Sequence, residues 1–281
     1  MTRKATTLRS IAVLGAATLA LSLAACAPTA DTGAGTSDYV TDGKLTIGTG
    51  EPAYYPWVID DAPETGEGFE AAIAYAVADE LGFAKEDVVW VRSTFEEAIA
   101  PGPKNFDFNL QQFSITDERK ASVDFSSAYY ETTQVVITTE GSAAAGATSL
   151  DDLKGLLIGA QTGTTSFDAI EQEIAPTAGA QVFNTNDDAK LALESGTVDA
   201  LVVDLPTAFY LTGVELTGGL IIGQLPTADG KSGDEFGLVL AKGSPLTAAV
   251  TAAVDALRDS GTLQDIAAQW LADAANAPVL K

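Results

Sequence analysis

From residue 45 almost to the C-terminus, short β-branched runs alternate with stretches whose apolar residues recur every three or four positions. Residues 45–49 (Leu-Thr-Ile-Gly-Thr) read as a strand, and from Phe69 the apolar positions Ile73, Ala76, Val77 and Leu81 mark a helix with one buried face, stopped at Gly82. Residues 88–91 are a second strand, and Phe95 opens a helix closed by Pro101 and Gly102. Residues 106–110 alternate as a strand, Thr116 caps a short helix with an acidic first turn, and 134–138 form a further strand.

After the small-residue loop 141–149 the alternation resumes. A strand at 156–160 leads through Gly163-Thr164-Thr165-Ser166 into a helix whose apolar face holds Phe167, Ile170 and Ile174. Asn186-Asp187-Asp188 caps the next helix, which Gly196 ends, and 198–203 is a strand. A strand at 236–240 returns to the first unit, and two helices follow, with Leu246, Val250, Val254 and Leu257, then Leu263, Ile266, Trp270 and Leu271, on their buried faces. Strands alternating with helices define an α/β fold.

The first 44 residues follow other rules. Arg3, Lys4 and Arg9 precede an apolar run over 11–23 that is too short to span a bilayer but fits the apolar core of a signal peptide. Leu23-Ala24-Ala25-Cys26 looks like a bacterial lipobox, which assigns 1–25 to a lipoprotein signal peptide and Cys26 to lipidation. Residues 26–43 are rich in Ala, Thr, Gly, Ser and Asp, a composition that cannot bury a core and reads as a flexible tether.

Composition then removes whole classes of chemistry. There is no histidine, which closes Ser-His-Asp and Cys-His nucleophile systems and the usual zinc ligand sets. With the single cysteine at the cleavage point, no disulfide or thiolate metal site is expected, and no phosphate-cradling Gly-rich loop calls for a cofactor. The 15 basic and 39 acidic residues give a net charge of −24, or −27 once the three basic residues of the leader are removed. A surface this acidic repels nucleic acid and anionic lipid headgroups.

Four features point to a clamp for one carboxylate and one ammonium. Ser114 and Arg119 flank a helix start, where N–H groups, a hydroxyl and a forked guanidinium suit a carboxylate. Thr164 and Thr165 offer the same chemistry at a second helix start. Asp204 ends the strand 198–203, where open α/β sheets place ligand-binding groups. Tyr54, Tyr55, Trp57 and Phe95 supply aromatic walls near strand ends. An α-amino acid satisfies all four.

The order of these residues resembles a family. Gly50-Glu51-Pro52-Ala53-Tyr54-Tyr55-Pro56-Trp57, Gly68-Phe69-Glu70, Phe113-Ser114-Ile115-Thr116-Asp117-Glu118-Arg119, Val123-Asp124-Phe125-Ser126 with Tyr129-Tyr130, Gly159-Ala160-Gln161-Thr162-Gly163-Thr164-Thr165 and Asp199-Ala200-Leu201-Val202-Val203-Asp204 match the polar amino-acid receptors of ABC importers, bacterial extracellular solute-binding protein family 3. The resemblance implies a two-lobed periplasmic-binding-protein-like fold (type II) with two hinge strands, lobe 1 at 44–130 and 237–281 and lobe 2 at 131–236. It implies that Arg119 bridges the ligand carboxylate, with Ser114, Thr164 and Thr165 as added donors, and that Asp204 takes the ammonium with the backbone carbonyl of Gln112. Tyr54 and Phe95 would sandwich the ligand side chain, with Trp57 close by and Glu51 where some relatives contact a polar or cationic group. Ala72 departs from the family, which often has a second acid there, and Gln111-Gln112 replaces its usual small residues; a Gln112 side chain in the pocket would alter the accepted ligands.

The implied function is a monomeric, lipid-anchored, extracytoplasmic receptor for a polar amino acid, glutamine or a basic one, that docks on ABC transporter permease subunits. It implies no catalysis and no cofactor. Two alternatives use the same fold: an arogenate-dehydratase-like enzyme with Glu51 as the acid, and a sensor that presents its ligand to a partner.

Overall fold

The structure is a computed structural model, and it describes residues 38–227, 233–271 and 277–281. The signal peptide, Cys26 and most of the tether lie outside the described residues.

β1 (Leu45–Gly50) has every residue buried, its polar Thr46 and Thr49 included. Parallel neighbours on both sides and cover on both faces produce that pattern. α1 (Phe69–Glu80) begins under the carbonyls of Pro56 and Trp57, which accept from the N–H groups of Phe69 and Glu70 at 2.9 Å each. Those carbonyls fill the capping role, so the Glu70 side chain is free for another task. β2 (Val88–Ser93) is followed by α2 (Phe95–Ile99), which opens with a Thr94–Glu97 capping box.

Residues 106–111 depart from the expected alternation, because all six are buried. Only β3 (Phe108–Asn109) is strand, wedged between β1 and a later antiparallel strand. Asp107 survives burial by accepting from the N–H groups of Thr46 at 2.6 Å and Val40 at 2.8 Å. A Cβ on Gly48 would lie 2.2 Å from Asn109 Nδ2, so glycine there makes room for the Asn109 amide.

α3 (Asp117–Lys120) is one turn long, with Thr116 as its N-cap. β4 (Val123–Thr132) then runs for ten residues and passes through Thr133 straight into β5 (Gln134–Thr139). α4 (Leu150–Leu153), β6 (Ile158–Gln161), α5 (Thr165–Ala169) and a π-helical turn at Ile170–Ile174 follow. β7 (Gln181–Phe183) leads to α6 (Asn186–Glu194), whose N-cap is Thr185 rather than the Asn186-Asp187-Asp188 run: its hydroxyl accepts from Asp188 N at 3.0 Å. β8 (Ala200–Asp204), α7 (Leu205–Tyr210) and β9 (Gly219–Gln224) complete this stretch. β10 (Asp234–Ala241) returns to pair with β3 and β4, and α8 (Thr247–Asp259) and α9 (Thr262–Trp270) follow.

The strands form two five-stranded sheets, in orders β2-β1-β3-β10-β4 and β7-β6-β8-β5-β9. Each carries its own core on both faces. Phe236, Leu238 and Leu240 of β10 pack with α1, α8 and α9, while Val239 points to the opposite cluster around Phe106 and Phe113. In the second sheet Ala200 and Val202 face one cluster, and Leu201 and Val203 the other.

The C-terminus breaks the expected division. Residues 277–281, assigned with the first unit by the sequence, lie against the second sheet. Pro278 O accepts from Gln224 N at 2.7 Å, Leu280 N donates to Gln224 O at 2.9 Å, and the Leu280 side chain enters the core beside Ile158 and Val136. We predict that Leu280→Ala, at a site 4% exposed, costs about 2–5 kcal/mol in urea unfolding. A change below about 0.5 kcal/mol would show that the tail is not part of that core.

Candidate functional site

A cavity of about 240 Å³ opens between the two sheets. Its walls include Glu51, Tyr54, Trp57, Phe95, Gln112, Ser114 and Arg119 from the first half and Thr164, Thr165 and Asp204 from the second.

Arg119 reaches it from the single turn of α3, which Thr116 fixes by accepting from Arg119 N at 3.1 Å. Arg119 is 8% exposed; its Nη1 donates to Ser114 O at 2.7 Å and Nη2 crosses to Gly163 O at 2.9 Å. A guanidinium offers five donors, so the fork retains capacity for a planar anion. Its Cζ lies 5.2 Å from the Phe95 ring centroid, and Phe95 leans on Phe113 at 4.7 Å. That wall therefore serves both as a cation–π partner and as an apolar face.

The threonines divide their labour. Thr164 is a cap, accepting from Phe167 N at 3.2 Å and donating to Gln161 O at 2.7 Å, so its hydroxyl is already engaged. Thr165 Oγ1 lies 3.0 Å from Ser114 Oγ, joining the halves beside Arg119. Trp57 is 1% exposed and packs among Phe69, Tyr130 and Phe236, so it is core more than wall. Its indole N–H also joins the halves, donating to Thr207 Oγ1 at 3.1 Å.

Asp204 faces the cavity at the C-terminal end of β8. Burial first, and then the carboxylate of Asp234, push its pKa from 3.8 up to about 8, against the pull of Gln134 and Arg119. Tyr54 sits opposite, its phenol raised to about 12 by burial and then by Asp187. Gln112 adopts a left-handed backbone, φ 53°, and its side chain does not turn into the pocket as a free ligand: the amide donates to Glu70 Oε2.

These walls can now be set beside known proteins. A profile of the bacterial extracellular solute-binding proteins, family 3, matches residues 45–273. The chain belongs to that family. It is 32% identical over 239 residues to an L-arginine-binding protein of Pseudomonas aeruginosa, covering 81% of this chain and 88% of that one. Likeness to the arginine-binding extracellular protein ArtP of Bacillus subtilis is 28% over 264 residues, covering 90% and 96%. An ancestral arginine-binding protein bound to glutamine superposes with a TM-score of 0.68 at 31% identity, over 82% of this chain and 98% of that one. The fold is that of the type II periplasmic amino-acid-binding proteins.

Within this family member, sequence reasoning passed over Glu70 and Gln134. Glu70 is the second residue of α1 and 2% exposed; Gln112 N donates to it at 2.7 Å, as do the Gln112 amide and the Tyr129 hydroxyl. It therefore holds the left-handed turn that shapes the floor of the cavity. A charged residue on the buried face of a predicted helix was the available signal. Gln134 opens β5 opposite Asp204 and donates to its Oδ1 at 3.0 Å. Among the described lining residues, Glu51, Glu70, Glu96 and Asp204 are acidic and Arg119 is the one cation.

Burial raises the Glu70 carboxyl from 4.5 to about 7 against its three hydrogen bonds. A raised acid favours the fold while it is neutral, so this contribution is complete below about pH 4.5 and is lost as pH climbs through 7. The melting temperature of Glu70→Gln should therefore fall less steeply between pH 5 and 8 than that of the unaltered protein. Parallel curves would show that Glu70 does not titrate in this window.

Proposed function

We propose that this chain is the extracytoplasmic receptor of an ABC importer, capturing a polar amino acid with a cationic side chain in the cavity between its sheets. The observation that carries the reading is the placing of one buried guanidinium, Arg119, and one buried-edge carboxylate, Asp204, on opposite halves around a single cavity. An α-carboxylate suits the Arg119 fork with Ser114 and Thr165 beside it; an α-ammonium suits Asp204 and the carbonyl of Gln112. Tyr54 and Phe95 then flank the ligand side chain. Once Arg119 and Asp204 are matched, Glu51 and Glu96 leave the remaining walls negative, which favours a guanidinium or ammonium at the far end. The arginine in relatives' names agrees with that charge balance.

The two halves act as lobes hinged where β4 passes through Thr133 into β5. Ser114–Thr165, Arg119–Gly163 and Trp57–Thr207 join the two halves, and separating the lobes would break them. A ligand touching both walls shifts the open–closed balance by its differential affinity, and the closed form is what the permease subunits would meet. The reading is capture and not turnover, in keeping with the binding proteins among its relatives.

In calorimetry against the twenty amino acids, the cationic ones should bind best. Arg119→Ala and Asp204→Ala should each weaken binding on the order of 100-fold, the usual consequence of truncating one partner of a buried charge pair. Unchanged affinity in both would dismiss the site. Lipidation of Cys26 is the second half of the proposal: a diacylated anchor and a flexible tether would hold the receptor at high local concentration beside its importer. Cys26→Ala should shift the protein from membrane to medium, with ligand affinity intact; a protein that stays in the membrane fraction would rule out that anchor.

A further inference from the structure

Asp234 lies at the start of β10, on the other half of the molecule from Asp204. The two acids nevertheless share one donor. Gln134 Nε2 stands 3.0 Å from Asp204 Oδ1 and 2.8 Å from Asp234 Oδ2, while Thr165 Oγ1 lies a further 3.3 Å from the same nitrogen. Ser166 Oγ donates to the opposite end of the amide at 2.7 Å, which fixes its NH₂ toward the carboxylates. Ser114 Oγ is 3.5 Å from Asp234 Oδ2, so Asp234 stands behind the Ser114 wall on the Arg119 side as well.

An amide NH₂ has two protons and no charge. It can satisfy two carboxylates geometrically but cannot neutralise them. Among the described residues, the other charged or titratable groups acting on Asp204 do little to offset the two acids: Glu70 from α1 adds a third, Tyr129 and Tyr130 from β4 are neutral phenols, and the one cation, Arg119 from α3, is also claimed by Asp168, Asp234 and Glu118. A protonated amine at Asp204 would supply a whole positive charge to this corner. A hydroxyl would supply none.

We propose that Asp234 is a positioning and charge-setting residue for the amine end of the site: with Gln134 it aligns Asp204 and, once Asp204 is ionised, makes the closed cleft require a protonated amine, so that an α-amino acid is then taken and its 2-hydroxy counterpart refused. This rests on the amino-acid reading above. The direction of the Asp204 titration fits the geometry. Raised to about 8, the acid keeps its proton in the closed cleft and loses it as pH rises through that value. While the proton is there, a hydroxyl is tolerated. Once it leaves, two facing carboxylates exclude anything but a cation.

The test compares wild type with Asp234→Asn, which keeps an acceptor for Gln134 and removes the charge. Calorimetry with L-arginine and 2-hydroxy-5-guanidinopentanoate at pH 6 and 8.5 gives the preference for amine over hydroxyl. In wild type that preference should grow with pH; at pH 8.5 it should be about tenfold smaller in Asp234→Asn, the factor that goes with one pKa unit of coupling. A preference equal in both proteins, or reduced equally at both pH values, overturns the proposal. A ligand-free arm stands independently of the amino-acid reading. Thermal melts of the two proteins should coincide at pH 5, and the variant should melt higher at pH 8.5, because it no longer sets a second charge against ionised Asp204. Equal shifts at both pH values, or a lower melting temperature at pH 8.5, would mark a merely structural residue and sink the idea. Failure of L-arginine to bind wild type would count against the proposed function, and the melts would still decide the role of Asp234.

Discussion

The two hydrophobic cores never merge, and the cavity chemistry depends on that separation. β4 and β5 are nearly one continuous strand, yet its first ten residues pair in one sheet and the residues after Thr133 pair in another. Between the sheets there is no shared apolar layer among the described clusters; polar contacts, with a single ring pair between Tyr55 and Tyr210 at 4.5 Å, take its place. Apolar burial is non-directional and would hold the halves together whatever sat between them. Polar contacts such as Ser114–Thr165 are nearly matched by what water offers the same groups. The cleft is thus poised, and small differences in what fills it can decide its state.

Into that setting the fold brings an excess of acid. Glu70, Asp204 and Asp234 are all held by neutral donors: backbone N–H, amides and a phenol. Such donors orient a carboxylate without cancelling its charge. Arg119 is spread across Ser114, Gly163 and the Phe95 ring. Among its described lining residues the cavity consequently holds more acid than base.

Much of this was legible in the residues. β1, α1, α2 and the position of Asp204 follow from period, caps and strand ends, because each is decided by neighbours in sequence. What escaped was decided by neighbours in space. Residues 106–111 bury polar side chains that the backbones of Val40 and Thr46, the Ser93 hydroxyl and an Asn109–Gln111 bond satisfy, with the glycine at 48 leaving room for them. β4 was recognised as a motif and not as a strand, since its partner lies more than a hundred residues away and its register carries bulges. Trp57 looked like a wall of the ligand and packs largely in the core, while the Gln112 side chain, as distinct from its carbonyl, is committed to Glu70. Gln134 has no pattern to announce it; its meaning comes from standing opposite Asp204 in the ladder.

The C-terminal segment at 277–281 bears on how such a chain can be made. The second half is nested within the first in sequence, so the first sheet waits for β10 and its helices, and the second waits for Leu280 to fill its core. The first core is complete only once Leu271 has emerged, and the second only once Leu280 has. A chain delivered N-terminus first would therefore stay short of both native cores throughout delivery, and then close them nearly together.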